Sequence, residues 1–160
     1  MKKIILLVIA LVVFNISKAQ ESIIKVNPIG FAFGIFNATY EKAVSENNSF
    51  TIGASYFNWS NANASGIGGE AAYRFYFSNN NDAPEGIYAA PFLGVHTISI
   101  GDSSGFGFGG GAQAGYQWIF DSGLALDLFF GYGYYAGGVD GSTTGVGGLP
   151  KLGVAVGYAF

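Results

Sequence analysis

Few residues of this chain are of a type that does chemistry, and their spacing decides what they can do. His96 is the single histidine. A hydrolytic dyad needs a base and a nucleophile within hydrogen-bond reach, and the nearest downstream serine, Ser99, lies three positions on. In an extended segment alternate side chains share a face, so an odd spacing separates the two, and position 98 on the histidine's own face is Ile98. There is no cysteine, which removes thiol chemistry, disulfides and lipoprotein attachment. Asp102 and Asp140 stand alone in turn-rich stretches without the spacing of a calcium loop, and no metal or cofactor is expected. Gly105, Gly107 and Gly110 match a nucleotide-binding glycine pattern, but no helix or βαβ unit follows them. Asn-x-Ser/Thr triplets, among them those at Asn37, Asn58 and Asn63, fit a glycan acceptor only by chance behind a bacterial leader. What remains is a polar set, Glu41, Glu70, Arg74, Gln113, Gln117 and Asp127, of which Arg74 is the only arginine.

The elements that must carry this set are read from the hydrophobic pattern. Lys2 and Lys3, an apolar run from Ile4 to Phe14, and the small-residue box Ser17-Lys18-Ala19 form the three-part pattern of a secretory signal. The run is only eleven residues, too short to span a bilayer as a helix, so cleavage after Ala19 is expected and residues 20–160 form one domain. Beyond the leader, Lys25, Lys42, Arg74 and Lys151 face ten acidic residues, a formal charge of −6. Four scattered cations cannot neutralise a row of phosphates, which argues against nucleic-acid binding. Half the residues are hydrophobic and 17% aromatic, yet no stretch after the leader is long enough for a membrane helix. A closed barrel reconciles the two, because it holds its hydrophobicity in alternation.

Alternation is clearest from Phe106 to Phe120, where even positions are apolar and odd ones glycine, Gln113, Gln117 or Ile119. The Asp121-Ser122-Gly123 turn leads into Leu124–Tyr134 with Asp127 and Phe129 inward, a hairpin. Ile67, Ala71, Tyr73, Phe75 and Phe77 oppose Glu70, Ala72, Arg74 and Tyr76. Phe50–Ser60 and Ile87–Ile100 are two further strands, and Leu149–Phe160 is the last, with Lys151 inward. Ile23–Val44 is too long for one strand and its apolar parity slips at Gly34; a turn there gives eight strands, the even number bacterial barrels use, whereas a bulge gives seven. The expected architecture is an all-β, antiparallel up-and-down transmembrane barrel of eight strands. Short turns at 45–49, 79–86 and 121–123 would face the periplasm. Loops at 61–65, 101–105 and a long mobile one at 136–148 would lie outside. Trp59, Tyr88, Trp118, Tyr134, Tyr135 and Tyr158 fit interfacial girdles.

The closing Val156, Tyr158 and Phe160 resemble the C-terminal signal by which outer-membrane proteins are recognised by the barrel-assembly machinery. Lys25-Val26-Asn27-Pro28, Tyr40-Glu41-Lys42, Tyr73-Arg74-Phe75-Tyr76-Phe77, Ala83-Pro84-Glu85-Gly86-Ile87-Tyr88 and Ala114-Gly115-Tyr116-Gln117-Trp118 resemble a large family of uncharacterised bacterial outer-membrane barrels, a family of unknown function. The strand plan is similar to OmpX-type and OmpA-type barrels at the level of fold. The resemblance implies an outer-membrane location and contact with its lipid, and transfers no activity.

An eight-stranded barrel is about wide enough for side chains to fill, so the inward polar set is expected to pack as a plug, with carboxylates gathered around Arg74. The expected protein is a non-enzymatic, monomeric barrel with a structural role or one of binding through its loops. Two alternatives are a lipid-modifying barrel of the lipid A acyl hydrolase type, with His96 as base, and a soluble lipocalin-like ligand binder with its apolar face turned in.

Overall fold

A computed structural model describes residues 21–77, 82–139 and 142–160; the leader, 78–81 of the expected turn at 79–86, and the tip of the last hairpin lie outside them. Eight antiparallel strands form a closed barrel in sequence order, each beside its chain neighbour, with β1 sealed against β8. They are β1 Ser22–Val26, β2 Ile35–Ser45, β3 Asn48–Trp59, β4 Ala64–Tyr76, β5 Gly86–Ile100, β6 Ser103–Ile119, β7 Leu124–Val139 and β8 Ser142–Ala159. A single-turn helix, α1 (Pro28–Ala32), joins β1 to β2, and a 3-10 turn (Ser60–Ala62) joins β3 to β4. In lipid or in water, closure leaves no long edge with unpaired backbone groups, provided each strand is matched in length by its neighbour.

That proviso fails at one place. Strand lengths climb around the barrel from 5 residues in β1 through 11 in β2 to 18 in β8. The register of β1 on β8 runs only from Ile23↔Ala159 to Val26↔Val156, so the rest of β8 continues without a strand on that side. One end of the barrel, with the termini and the turns 46–47 and 121–123, is even; the other is notched at β1. Helix α1 fills the notch, touching both β2 and β8.

The break in Ile23–Val44 is therefore a segment rather than a tight turn. Pro28 sits at the first helical turn, where its missing N–H is harmless, and the Asn27 side chain accepts from Gly30 N at 3.0 Å. Gly34 leaves the helix with φ +72, a left-handed conformation that a side chain would strain, and a Cβ there would lie 2.7 Å from Asn58 O.

Two sequence expectations are corrected by pairing and facing. Most of the expected loop 136–148 is strand: β7 runs to Val139 and β8 begins at Ser142, with an irregularity in register at Tyr134/Tyr135 that absorbs the extra residue. Gly/Ser/Thr content suggested mobility, but backbone pairing needs no side chain. Tyr88 and Tyr135 were assigned to the outer girdles, and both point inward. Tyr88 is 1% exposed in the lumen, and Tyr135 packs against the inner cluster around Phe92. Inward aromatics lie over glycines of the adjoining strand, Tyr88 on Gly115, Tyr135 on Gly109 and Phe129 on Gly153. The glycine-rich inner faces of β6 and β8 are thus the space these rings occupy.

Candidate functional site

The inner face of the barrel collects charge. At the end with the termini, β1 contributes Lys25, β2 Glu41, β4 Arg74 and β7 Asp127, all at most 4% exposed. Each arrives there by strand parity. Alternate residues of a strand point inward, and the register places Glu41 beside Ile23 and Asp127 beside Gln117 and Ala155.

The four charges form one network. The Lys25 ammonium donates to Glu41 Oε2 at 2.5 Å, to Asp127 Oδ2 at 2.9 Å and to Gln117 Oε1 at 2.5 Å. From the other side the Arg74 guanidinium donates to Asp127 Oδ2 at 2.8 Å and Gln117 Oε1 at 3.2 Å, and lies 3.2 Å from Glu41 Oε2. Both carboxylates therefore touch both cations. Their remaining oxygens accept from hydroxyls: Tyr76 donates to Glu41 Oε1 at 2.7 Å, Tyr88 to Asp127 Oδ1 at 2.9 Å, and Ser49 also donates to Glu41. Gln117 Nε2 donates to Tyr76 Oη at 3.2 Å and to Pro84 O. The Arg74 guanidinium stacks 4.1 Å from the Tyr88 ring centroid. Two positive and two negative groups balance, which is the condition under which buried ions are tolerated.

A second, smaller pair lies higher in the lumen. Lys151 on β8 donates to Glu70 on β4 at 2.5 Å, with its ammonium 4.1 Å from the Phe92 ring centroid. It differs from the lower network in accessibility, its side chains being 20% and 37% exposed. Gln113 is buried between the two layers, and its Oε1 has no hydrogen-bond partner among the described residues.

The structure thus places Glu41, Arg74, Gln117 and Asp127 in one cluster, Glu70 in a separate pair with Lys151, and Gln113 between them. Sequence reasoning missed Lys25, Ser49 and the roles of Tyr76 and Tyr88. Parity in β1 was the signal for Lys25, since it alternates with the outward Ile24 and Val26, but β1 is so short that the pattern is only five residues long. Of the four basic residues beyond the leader, three lie in the lumen.

His96 also points inward, nearer the notched end. Its ring leans over Gly107 and makes an edge contact with Tyr135, the ring centroids 6.1 Å apart. Ser99 faces the opposite side of β5. Ser55 Oγ approaches the inner face beside Gly68, on the rung that also carries His96, but the imidazole tilts away from it toward β6. Among the described residues no cluster of metal-ligating side chains forms.

The fold has a solved relative. The crystal structure of Neisserial surface protein A (NspA) is similar over 89% of this chain and 98% of that one, with a TM-score of 0.57 at 16% sequence identity. That likeness is one of fold, an eight-stranded closed barrel. No curated protein matches the sequence. A family model does, over residues 4–141, and by that match the chain belongs to the family described as protein of unknown function (DUF3575).

Proposed function

We propose that this protein is an integral outer-membrane barrel, exported by its leader and inserted as a monomer. In this reading its lumen is plugged near the periplasm, and it acts as an envelope component or through its outer end. One observation carries the proposal. Among the described residues thirty-two large apolar side chains are exposed, whereas the eleven buried apolar residues include seven alanines. A soluble protein has the reverse arrangement, and here Lys25, Glu41, Arg74 and Asp127 are buried inside. A lipocalin-like reading needs the opposite facing on every strand. Leu93, Phe108, Phe130 and Leu152 belong to the apolar outer band, and Trp118 with Tyr116 and Tyr158 fit its aromatic border. Val156 and Tyr158 face outward beside the terminal Phe160, the phase that the C-terminal insertion signal requires.

The plug argues against a general pore. Opening a path through Lys25, Glu41, Arg74 and Asp127 requires separating ion pairs out of contact with water, at several kcal/mol each. The enzymatic alternative finds little support, since among the described side chains none presents a nucleophile to the His96 ring. The test is to refold residues 20–160 into detergent micelles and lipid vesicles. The expected result is a β-rich spectrum and a heat-dependent shift in gel mobility only with detergent or lipid, together with no discrete current steps in planar bilayers. Folding as a monomer in plain buffer would refute the membrane reading, and step conductance in the unmodified protein would refute the plug.

A further inference from the structure

The notch in the wall lies where a membrane barrel should be closed. A tilted strand needs about 9–11 residues to cross a bilayer, and β1 has 5. Above Val26 the wall between β8 and β2 is made by α1 and the residues that follow it. Its hydrogen bonds run to one side. Asn27 N–H donates to Asn37 Oδ1 at 3.0 Å, Trp59 Nε1–H to Phe33 O at 2.8 Å, and Asn58 N–H to Gly34 O at 3.0 Å. All three tie the segment to β2 and β3. It also touches β8, and among the described residues no hydrogen bond joins the two.

The facing flank of β8 carries the marks of an edge. Phe160 N bonds to Ser22 O whereas Ala159 N bonds to Gly123 O, so even-numbered residues of β8 turn their backbone groups toward β1 and the notch. Continuing that alternation, Val154, Leu152 and Pro150 turn toward the open flank, and of these Pro150 has no N–H to leave unpaired. Ile29, Phe31, Phe33 and Phe36, outside the notch, are all exposed.

Toward the notched end of the lumen is a cavity of about 360 Å³ on the β5–β8 side, walled by His96, Ile98, Ile100, Tyr135, Gly137 and Leu149. Its size is that of a small-ligand site, and apart from His96 and Tyr135 the walls are apolar. Leu149 stands on β8 seven residues beyond Val156, the last residue paired to β1. Through Leu149 the cavity borders β8, the strand that flanks the notch, and the accessible Lys151–Glu70 pair lies two residues further down the same strand.

On the membrane reading above, we propose that this cavity binds the acyl chain of a single-chain amphiphile, which enters from the bilayer between α1 and β8. The chain fills the apolar walls, and the seam that admits it is the flank of α1 where no hydrogen bond to β8 forms among the described residues. An apolar ligand reaching this site from the lipid avoids crossing water, and the ion network below it closes the lumen.

The test uses protein expressed with its leader, extracted from membranes and reconstituted in phosphatidylcholine vesicles, with 11-(dansylamino)undecanoic acid as probe. Saturable enhancement of dansyl emission is expected, weakened at least tenfold by Leu149→Trp and by Ile98→Trp, which fill the cavity. Loosening the latch with Asn37→Ala and Trp59→Phe together, which removes the acceptor for Asn27 N–H and the donor to Phe33 O, should speed uptake severalfold. Displacement by oleate alone assigns a free acid, and displacement also by lysophosphatidylcholine assigns the chain irrespective of head group. Absence of saturable binding, or binding indifferent to both tryptophan variants, overturns the site. Uptake unchanged in the latch variant overturns the lateral route. The heat-dependent gel shift is read on the same samples, so failure of the membrane reading is seen separately from failure of the site.

Discussion

Replacing Arg74 with methionine removes a guanidinium that holds Asp127 at 2.8 Å and Glu41 at 3.2 Å. Both carboxylates are at most 1% exposed, and both would then share the single ammonium of Lys25. Removing one partner from a buried ion pair costs about 3–5 kcal/mol, because the other charge is left uncompensated. Asp127→Leu should cost a similar amount in the opposite sense, leaving two cations around Glu41. The double variant returns the lumen to one balanced pair, Lys25 with Glu41 at 2.5 Å. Its loss should therefore fall short of the summed single losses by about 0.5–3 kcal/mol, the range of coupling between contacting residues. The assay is urea unfolding of the refolded protein in micelles or vesicles, followed by the fluorescence of Trp59 and Trp118 and compared at equal slope. Losses that add to within about 0.5 kcal/mol would mean that the four charges do not act as one network.

Three further outcomes follow from individual contacts. Tyr88→Phe leaves Asp127 Oδ1 without its hydroxyl donor at the cost of one buried hydrogen bond, about 1–3 kcal/mol in the same titration, and no loss would show that the hydroxyl is dispensable. Gly153→Val drives a side chain into the Phe129 ring and should destabilise by about 1–3 kcal/mol; Phe129→Ala in that background should restore part of it, whereas an unrelieved loss would place the clash in the backbone. Gly34→Ala forces a side chain into φ +72 against Asn58 O, for about 1–2 kcal/mol, and an unchanged midpoint would show that the segment after α1 relaxes freely.

How much was legible in the sequence depended on segment length. Long alternating strands such as β6 and β7 displayed their inner and outer faces, so Gln113, Gln117 and Asp127 could be assigned to the lumen from parity alone. The eight-strand count came from the parity slip at Gly34, yet nothing in that slip distinguished a turn from a helical plug. Lys25 escaped because five residues show too little alternation. Tyr88 and Tyr135 were placed outside because tyrosine is frequent at membrane borders; their inward facing depends on Gly115 and Gly109, which leave space for the rings. The last hairpin was read as a loop because glycine, serine and threonine are poor in packing information, while pairing across β7 and β8 is carried by the backbone.

The short first strand also bears on how the barrel comes together. Every strand pair but one joins sequence neighbours through a hairpin, so most of the sheet can zip up locally, with little loop entropy to overcome. The exception joins the two ends of the chain, and its register holds only four residue pairs, against sixteen between β7 and β8. Ring closure is then the step with the largest entropic cost and the fewest bonds to offset it. A seven-hairpin ribbon that rolls up and seals last along this short zipper is the assembly order the topology favours. The same zipper is where amide exchange should first report the native barrel reopening.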